Sequence, residues 1–547
     1  PPTRYREKVI ERVLKDLRLQ KTIQDHALRK RLSEKDVLTK VRKILREMGA
    51  NYKPSYVATA YPIVRWIQHR LYQRIHVDHD SLERIKRLAR DHSILYLPCH
   101  RSHLDYIFLS KIYYEEGLIP PHIAAGVNLS FFPMGLIFRN TGAFFIRRKV
   151  SGDILYARTL ASYIRWLIRA GHSQEFFIEG TRSRTGKLQS PKVGLLSNEV
   201  DACLEQKTKD LLLIPVAITY DRVPEESEYR RESQGSEKVR ENWWGLLRAR
   251  KFLRRRHGEI FVRFCDSIST LDFFRDELRG QRPAPKEKIH ALAKEVVAKI
   301  ARGMTVTTAS LVSTCVLSRR RAPFTVQDLQ DIAPQLRSLF KDAGAPLAPN
   351  ALQIEAHLRS AVDFFESSRW IDRVEGHPGA YRVDPRHVFV LDFHKNASMH
   401  FLLPAILGAF ERLFDEQSWD DPLDRIAVRA ILEHEFPYAP KASMETPRRL
   451  DATLLACARN YLEAYWIASV TLLNAERALG IPEFLAAVDD SRRDWSEHVW
   501  LTCPEASSHF LLKSAYEYFQ SRWKLDPLAI ERMKLSLEKI LVEISKA

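Results

Sequence analysis

The six cysteines of this 547-residue chain are scattered, and no two of them form a Cys-x-x-Cys pair. Their spacing supports neither a disulfide scaffold nor a zinc ribbon, so a reducing compartment is the simpler interpretation. His100 and His103 lie three residues apart, but no His-Glu-x-x-His pattern and no nearby cysteine pair accompany them. We therefore expect no metal site.

Long apolar runs are absent as well. None reaches the roughly 18 to 20 residues that a helix needs to cross a bilayer. The longest candidates, 401–410 and 465–473, are short enough to be buried helices. No signal peptide is visible, and the chain begins Pro1-Pro2 without a methionine, which is typical of a fragment or a processed form. If the protein meets a membrane, we expect it to lie on the surface.

Positive charge is abundant, with a formal net charge of +18. A hydrophobic content of 45% and 28% charged residues are typical of a globular protein, and the length predicts two or three domains. The charge indicates an anionic partner, which could be nucleic acid, an acidic membrane surface or a phosphorylated substrate. Composition does not choose among the three.

The pattern along the chain predicts a helical region over 1–80, an α/β domain over 81–285 and a mostly helical domain over 286–547. In the middle region short β-rich runs alternate with helical stretches, as in a domain with a largely parallel sheet. The predicted strands are 94–97, 143–146, 175–178, 211–220 and 260–264, and the predicted helices are 103–115, 153–170, 191–206 and 239–254. Sites form where the strands of such sheets end.

Two segments allow more than one interpretation. Residues 61–74 carry apolar side chains near helical spacing with arginines between them, which suits a helix packed on the next domain or a basic interfacial helix. Residues 324–390 read as helices followed by a small hairpin, which is how a winged-helix module would look. Given the charge, a nucleic-acid-binding protein is therefore an alternative hypothesis.

His100 is the first candidate catalytic residue because it directly follows a predicted buried strand. Asp105 would fall in the first turn of the next helix, where its carboxylate can accept a hydrogen bond from one imidazole nitrogen and leave the other free to take a proton. Alternatively, Ser102 and Asp105 form a variant of the capping box and serve only the helix start. The two roles are compatible.

A cationic loop over 179–187 is the second candidate. Arg182, Arg184 and Lys187 lie between two glycines, and arginine side chains bind phosphate oxygens bidentately. The glycine spacing and the leucine after Lys187 do not fit a nucleotide P-loop, and a solvated basic loop is the alternative. Glu179 is expected to pair with these cations rather than to act as a base. The third candidate is a pair of cationic residues, Arg147 and Arg148, directly after the predicted strand over 143–146.

Four blocks in this order resemble the glycerophospholipid acyltransferase superfamily: His-x4-Asp at 100–105, Gly-Ala-Phe-Phe-Ile-Arg-Arg at 142–148, Glu-Gly-Thr-Arg-Ser-Arg at 179–184, and Ile214 to Tyr220. The second block has the form seen in glycerol-3-phosphate acyltransferases rather than lysophosphatidate acyltransferases. Further similarity to the bacterial, PlsB-like members extends to about residue 475. The last seventy residues are unmatched, and the long amino-terminal region of the family is largely missing, as expected of a truncated chain or a divergent member.

The resemblance implies a role for each matched residue. His100 would be the general base that takes the proton from the 1-hydroxyl of glycerol 3-phosphate, and Asp105 would orient it. Arg148, with Arg182 and Arg184, would hold the phosphate, and Glu179 would shape that pocket. The other binding residues that the matched blocks imply are Arg147, Gly180, Thr181, Ser183, Lys187 and Pro215. Pro215 lies in a predicted buried strand, where a proline suits an edge, an irregularity or a pocket wall.

The resemblance also implies the reaction: transfer of a fatty acyl group from acyl-CoA or acyl-carrier protein to glycerol 3-phosphate, the first step of phospholipid synthesis. No cofactor, metal or nucleic acid is expected. Dihydroxyacetone phosphate or lysophosphatidate is an alternative acceptor. The protein would lie as a monotopic or peripheral protein on the cytoplasmic face of the inner membrane. An apolar cluster within 131–138 would line an acyl channel, enter the bilayer or simply pack in the core.

Overall fold

The computed structural model of the chain describes residues 4–147, 152–206, 210–236, 257–280, 284–319, 322–417, 419, 421–441, 444–475, 477–491, 498 and 501–546. Four helices come first: α1 (Arg4–Leu14), α2 (Leu17–Lys30), α3 (Glu34–Met48) and α4 (Pro54–Leu71). Ser33 is the N-cap of helix α3, and its hydroxyl accepts from the Asp36 amide at 3.1 Å. The apolar residues of α3 recur at helical spacing on one buried face.

An α/β unit follows these helices. Its strands are β1 (Arg74–Val77), β2 (Ser93–Pro98), β3 (His122–Gly126), β4 (Phe144–Ile146), β5 (Gln174–Glu175), β6 (Leu211–Tyr220), β7 (Glu259–Phe264) and β8 (Ile268–Ser269). Its helices are α5 (His79–Asp91), α6 (Asp105–Glu115), α7 (Met134–Asn140), α8 (Ile154–Arg169), α9 (Val193–Gln206), α10 (Glu226–Ser233), α11 (Thr270–Phe273) and α12 (Arg275–Arg279), with a 3-10 turn at Val127–Leu129. Helices α2 and α3 pack on α8, so the first helices cover one face of the unit.

The sheet has the order β1-β7-β6-β2-β5-β3-β4, with β8 beside β6. Neighbours are parallel from β6 through β4 and between β1 and β7, whereas β7 and β8 run antiparallel to β6. Every residue of β2 and of β6 is buried, as expected of strands covered on both faces. The predicted α/β fold with a largely parallel sheet is confirmed.

Strand β5 is shorter than predicted, yet its path continues alongside β2. The Phe176 amide donates to Tyr96 O at 3.2 Å and the Ile178 amide to Pro98 O at 3.3 Å. The chain therefore leaves β5 still paired with β2, and it brings the residues after 178 next to His100. This pairing places the two candidate motifs at one edge of the sheet.

The remaining chain is mostly helical. It contains α13 (Lys286–Gly303), α14 (Thr308–Ser318), α15 (Val326–Asp342), α16 (Pro349–Leu352), α17 (Ile354–Ser367), α18 (Val388–Glu416), α19 (Pro422–Glu435), α20 (Asp451–Leu473), α21 (Ile481–Asp490), α22 (His509–Trp523) and α23 (Pro527–Ile544), with 3-10 turns at Arg448–Leu450 and Pro504–Ser507. Helix α13 packs on β6 and α9. One buried apolar cluster runs from α1 through the sheet to α23.

The structure differs from the predicted elements in several places. Strands β1, β3 and β8 were not predicted, and β1 joins the sheet although it lies within the predicted helical region 1–80. The division into three regions stays a prediction. The hairpin expected near 370–383 is present as β10 (Ile371–Arg373) and β11 (Ala380–Val383), with β9 (Phe324–Thr325) beside β11. The helix predicted over 239–254 lies outside the described residues. In the described part of the chain, no helix is both long and apolar enough to span a bilayer.

Candidate active site

A cavity of about 950 Å³ opens at the carboxyl ends of β2, β3 and β4. His100 and His103 lie on its wall, and five cationic side chains line it, those of Lys111, Arg147, Arg182, Arg184 and Lys192. The rest of the wall is largely aliphatic and aromatic and comes from α4, α6, β3 and α7. The cavity is within the size range of small-molecule sites, and it combines a polar end with an apolar end.

The turn from β2 to α6 carries the histidine. Asp105 Oδ2 accepts from His100 Nδ1 at 2.8 Å, and it also accepts from the backbone amides of Arg101 at 2.7 Å and Ser102 at 2.9 Å. The other oxygen of Asp105 accepts from the Tyr220 hydroxyl at 2.6 Å. Because four donors converge on one buried carboxylate, the orientation of the imidazole is fixed.

Burial favours the neutral form of the His100 imidazole. Burial lowers the pKa of His100 below its usual range, and the hydrogen bond that His100 donates to Asp105 only partly opposes this effect. The ring also stacks on Phe177, with centroids 3.9 Å apart. With Nδ1–H donating to Asp105, the lone pair lies on Nε2. The arrangement can accept a proton at Nε2 and stabilise the resulting imidazolium.

Asp105 makes only one of the contacts expected of a capping box. Helix α6 has Leu104 at its N-cap, without a side-chain hydrogen bond there, and Ser102 Oγ accepts from the Leu104 amide at 3.1 Å. Asp105 does bind the Ser102 amide, as a capping carboxylate would. It therefore shapes the turn and orients His100 at the same time.

The predicted cationic loop is tied to this turn. Glu179 is fully buried, and its two oxygens accept from the His100 amide and the Gln189 amide, each at 2.9 Å. The Ser183 amide donates to His100 O at 2.9 Å. Burial raises the pKa of Glu179, against the opposing effect of Arg101. Glu179 thus joins loop and turn through backbone amides and not, as expected, through the loop cations.

Arg182 and Arg184 line the cavity, and they pair with acidic residues of α10 and of its N-cap. Arg182 lies 3.7 Å from Glu225 and 3.5 Å from Glu228, and Arg184 lies 3.2 Å from Glu232. Burial raises the pKa of Glu225 to about 7, although Arg182 opposes the shift. These contacts fix the two guanidinium groups on the cavity wall.

The other predicted binding residues differ in position. Gly180 and Thr181 line the cavity, whereas the buried Ser183 donates to Lys187 O at 2.7 Å and serves the loop itself. Arg147 lines the cavity while its guanidinium binds Glu47 of α3, with N–O distances of 2.8 and 2.6 Å. Arg148, expected to hold the phosphate, lies outside the described residues.

Lys187 and Pro215 are not among the described residues that line the cavity. Lys187 pairs with Glu435 of α19, away from the opening. Pro215 lies in the central strand β6, opposite Leu97, between the segment that pairs with β8 and the segment that pairs with β7. A residue without an amide hydrogen is tolerated at that junction. The structure therefore places Pro215 inside the sheet at an irregularity of the pairing, not at an edge and not among the described residues that line this cavity.

Two family models match the chain. The one described as "Acyltransferase" matches residues 76–219, which include the histidine turn and the cationic loop. The one described as "Glycerol-3-phosphate acyltransferase C-terminal region" matches residues 229–456. That second match includes 324–390, the segment for which a winged-helix module was the alternative.

Curated relatives point to the same family. Proteins named glycerol-3-phosphate acyltransferase from Pasteurella multocida (strain Pm70) and Glaesserella parasuis serovar 5 (strain SH0165) are 31% and 32% identical over 421 and 418 residues. The relative of that name from Actinobacillus succinogenes is 33% identical over 426 residues. Each alignment covers 74% of this chain and 51% of the relative. Over the matched 74% of its length, the chain is similar to proteins named glycerol-3-phosphate acyltransferase.

The chain spans about half the length of these curated relatives. Among solved structures, the 1-acyl-sn-glycerophosphate (LPA) acyltransferase PlsC from Thermotoga maritima is similar to 54% of this chain and 95% of its own, at 13% identity and a TM-score of 0.27.

Several residues of the site were not singled out from the sequence. Tyr220 binds Asp105, Glu225 accepts from Ser102 Oγ at 3.0 Å, Lys192 lines the cavity and Phe177 stacks on His100. One available signal was the cluster of glutamates directly after the fourth block, since carboxylates close to a cationic loop often pair with it. Cys99, one residue before His100, is fully buried, and burial raises its pKa to about 12, which makes it a poor nucleophile.

Proposed function

We propose that the chain transfers a fatty acyl group from an acyl thioester to the 1-hydroxyl of glycerol 3-phosphate and releases lysophosphatidate. The observation that carries this proposal is a single cavity with three parts. It holds an imidazole oriented by a buried carboxylate, a set of arginines and an apolar end. These parts match the three chemical parts of the reaction, which are a hydroxyl, a phosphate and an acyl chain.

In the proposed reaction, His100 Nε2 takes the hydroxyl proton as the oxygen attacks the thioester carbonyl. The new C–O bond forms, the C–S bond then breaks, and the imidazolium returns the proton to the leaving thiolate. Asp105 stabilises the imidazolium between the two steps through its bond to Nδ1. No group on the protein becomes acylated, and no metal or cofactor takes part, so removal of divalent cations is expected to leave the rate unchanged.

The phosphate is proposed to bind at the cationic wall of the cavity. Arg182 and Arg184 are almost fully buried there, where charge–phosphate interactions are stronger than in bulk water. Each guanidinium group uses some of its N–H donors on its carboxylate partner. These ion pairs fix the direction of the guanidinium groups before the substrate arrives. Arg147 and Lys192 add two further cations on the same wall.

The acyl chain is proposed to bind at the apolar end, where α7 contributes Met134, Ile137 and Phe138 to the lining. These residues belong to the apolar cluster predicted within 131–138. The cavity volume of about 950 Å³ leaves space for a long chain beside the polar substrate.

Acceptor competition tests this function directly. The purified chain would be given an acyl-CoA or acyl-carrier-protein donor with glycerol 3-phosphate, dihydroxyacetone phosphate or lysophosphatidate. We expect glycerol 3-phosphate to give the largest kcat/KM and the 1-acyl product. Preference for either other acceptor, or an absence of acyl transfer to all three, would contradict the proposal.

We further propose that the protein lies on the cytoplasmic face of the inner membrane, with the cavity mouth against lipid. Exposed apolar side chains surround the apolar end: Ile63 and Trp66 lie on the cavity wall, Trp66 being 58% exposed, and Phe132, before α7, is 84% exposed. Arg65 and Arg70 are exposed on α4 beside them. Apolar side chains next to cations suit an anionic lipid surface.

Vesicle sedimentation tests the membrane proposal. Trp66→Ser with Phe132→Ser is expected to release the protein from vesicles that contain anionic phospholipid. The matched control, Leu17→Ser with Leu28→Ser, removes two equally exposed apolar side chains from α2. If the Leu17 and Leu28 substitutions release the protein while the Trp66 and Phe132 substitutions leave it bound, the cavity mouth is not the docking surface.

A further inference from the structure

The carboxy-terminal helices hold the cationic loop from the side opposite to the cavity. Asn396 of α18 donates from Nδ2 to Thr185 O at 2.9 Å. Gly186 has a φ of +82°, and a Cβ there would overlap the Phe393 carbonyl of the same helix. The loop backbone therefore lies directly on the α18 backbone, with space for glycine only.

Lys187 makes the second contact with these helices. Its ammonium group pairs with Glu435 at the end of α19 and lies 5.3 Å from the centre of the Tyr461 ring of α20. The Glu435 side chain is fully buried, and the Tyr465 hydroxyl donates to it at 2.7 Å. Burial acts to raise the pKa of Glu435, but Lys187 brings it below its usual range. An ion pair this deeply buried constrains both partners.

The same loop residues are bound on their other side by the histidine turn. Arg101 of that turn donates from Nη1 to Gly186 O at 2.9 Å and to Lys187 O at 3.1 Å. Within the loop itself, Ser183 Oγ donates to Lys187 O at 2.7 Å. Residues 185–187 therefore lie between the turn and α18–α20, while Arg182 and Arg184 face the cavity. A shift of α18–α20 would therefore move residues 185–187, and with them the neighbouring Arg182 and Arg184.

We propose that Lys187, Glu435 and Asn396 are positioning residues through which helices α18–α20 hold Arg182 and Arg184 in place to bind the phosphate of the substrate. This inference deepens the proposed function and rests on it. It also gives Lys187 a different role from direct substrate binding, because its charge is used on Glu435. The carboxy-terminal helices thereby form part of the phosphate site without contacting the phosphate.

The test combines backbone exchange with kinetics on the full chain. In Glu435→Gln, the amides of 179–189 are expected to exchange with deuterium about tenfold faster, because the loop opens locally. The KM for glycerol 3-phosphate should rise about tenfold, since the arginines lose their preset position. The KM for the acyl donor should stay within about twofold. Asn396→Ala should give a smaller change in the same direction, and Lys187→Arg should keep most of the affinity.

Lys539→Met is the matched control. Lys539 pairs with the buried Asp424, also on α19, at 2.7 Å, without touching the loop. It should leave loop exchange and both KM values unchanged, even where it lowers the melting temperature. Unchanged loop exchange in Glu435→Gln would overturn the proposal, and so would faster exchange with an unchanged KM for glycerol 3-phosphate. If the unaltered chain shows no acyl transfer while the loop still loosens, the proposed function fails and the structural link to α18–α20 stands.

Discussion

The two ends of the cavity are built in different ways. At the polar end, Asp105, Glu179 and Glu225 are all buried, and each accepts at least two hydrogen bonds. At the apolar end, α4 and α7 present aliphatic and aromatic side chains, several of them exposed. Burying a charge is costly unless it is paired, so the polar end tolerates little change, whereas an apolar wall adapts.

The two ends therefore suit different parts of the reaction. The polar end fixes reacting groups within fractions of an ångström before the substrates arrive, which is the condition for general-base catalysis. The apolar end needs only to accept a flexible chain. Single substitutions should therefore cost orders of magnitude in turnover at the first end and small factors in donor preference at the second.

The largest effect is expected for His100→Ala, which removes the proton acceptor. We expect kcat/KM to fall by about 10³-fold, within the range of general-base contributions, with the melting temperature little changed. Steady-state kinetics and thermal unfolding measure both. His290→Ala, which changes an exposed histidine on α13, is the control. Near-normal turnover of His100→Ala would remove this residue from the base role.

The second-largest effect is expected for Asp105→Asn. Its kcat should be lower by about 10²-fold, because a neutral amide no longer stabilises the imidazolium. Tyr220→Phe removes a single donor to the same carboxylate and should cost less than about tenfold. If the two variants were equally active, the charge of Asp105 would not contribute to the reaction.

The pH dependence of activity also tests His100 as the base. Because burial lowers the pKa of His100, more of the base is unprotonated at pH 6.5 than in an ordinary histidine, whose pKa is about 6.5, so activity should persist to lower pH. Below the depressed pKa, kcat/KM should fall about tenfold per pH unit as the base is protonated. Asp105 opposes the shift, so Asp105→Asn should move this acid limb to lower pH. An acid limb above pH 7 in the unaltered chain would contradict the burial of His100.

At the cationic wall, Arg184→Ala should raise the KM for glycerol 3-phosphate about tenfold, since a charge-assisted hydrogen bond contributes about 1.5 kcal/mol or more. The KM for the acyl donor should not change. Arg158→Ala, on an exposed face of α8, is the control. A rise confined to the acyl-donor KM would place the phosphate elsewhere.

The smallest effect is expected at the apolar end. Ala60→Trp on α4 fills part of the cavity and should lower kcat/KM for long-chain donors about fivefold relative to short-chain donors, as overpacking of an apolar site does. Ala58→Trp, an exposed position of the same helix outside the lining, should leave the ratio unchanged. Equal loss for all chain lengths would argue against an acyl site between α4 and α7.

The sequence predicted the parts of this molecule that depend on local pattern. The buried runs that became β2 and β6, the histidine five residues before an aspartate and the arginine-rich loop were all visible in it. The short strands β1 and β3 were missed, since four or five residues give little periodicity. Partners far apart in the chain were also beyond reach. Glu47 with Arg147 and Glu435 with Lys187 are joined only by the fold, and nothing local marks which carboxylate a given cation meets.

The most direct test is a structure of the protein with glycerol 3-phosphate and a non-hydrolysable acyl-donor thioester analogue bound. We expect the 1-hydroxyl about 3 Å from His100 Nε2, the phosphate on Arg182 and Arg184, and the acyl chain between α4 and α7. A phosphate bound away from these arginines, or a hydroxyl out of reach of the imidazole, would contradict it.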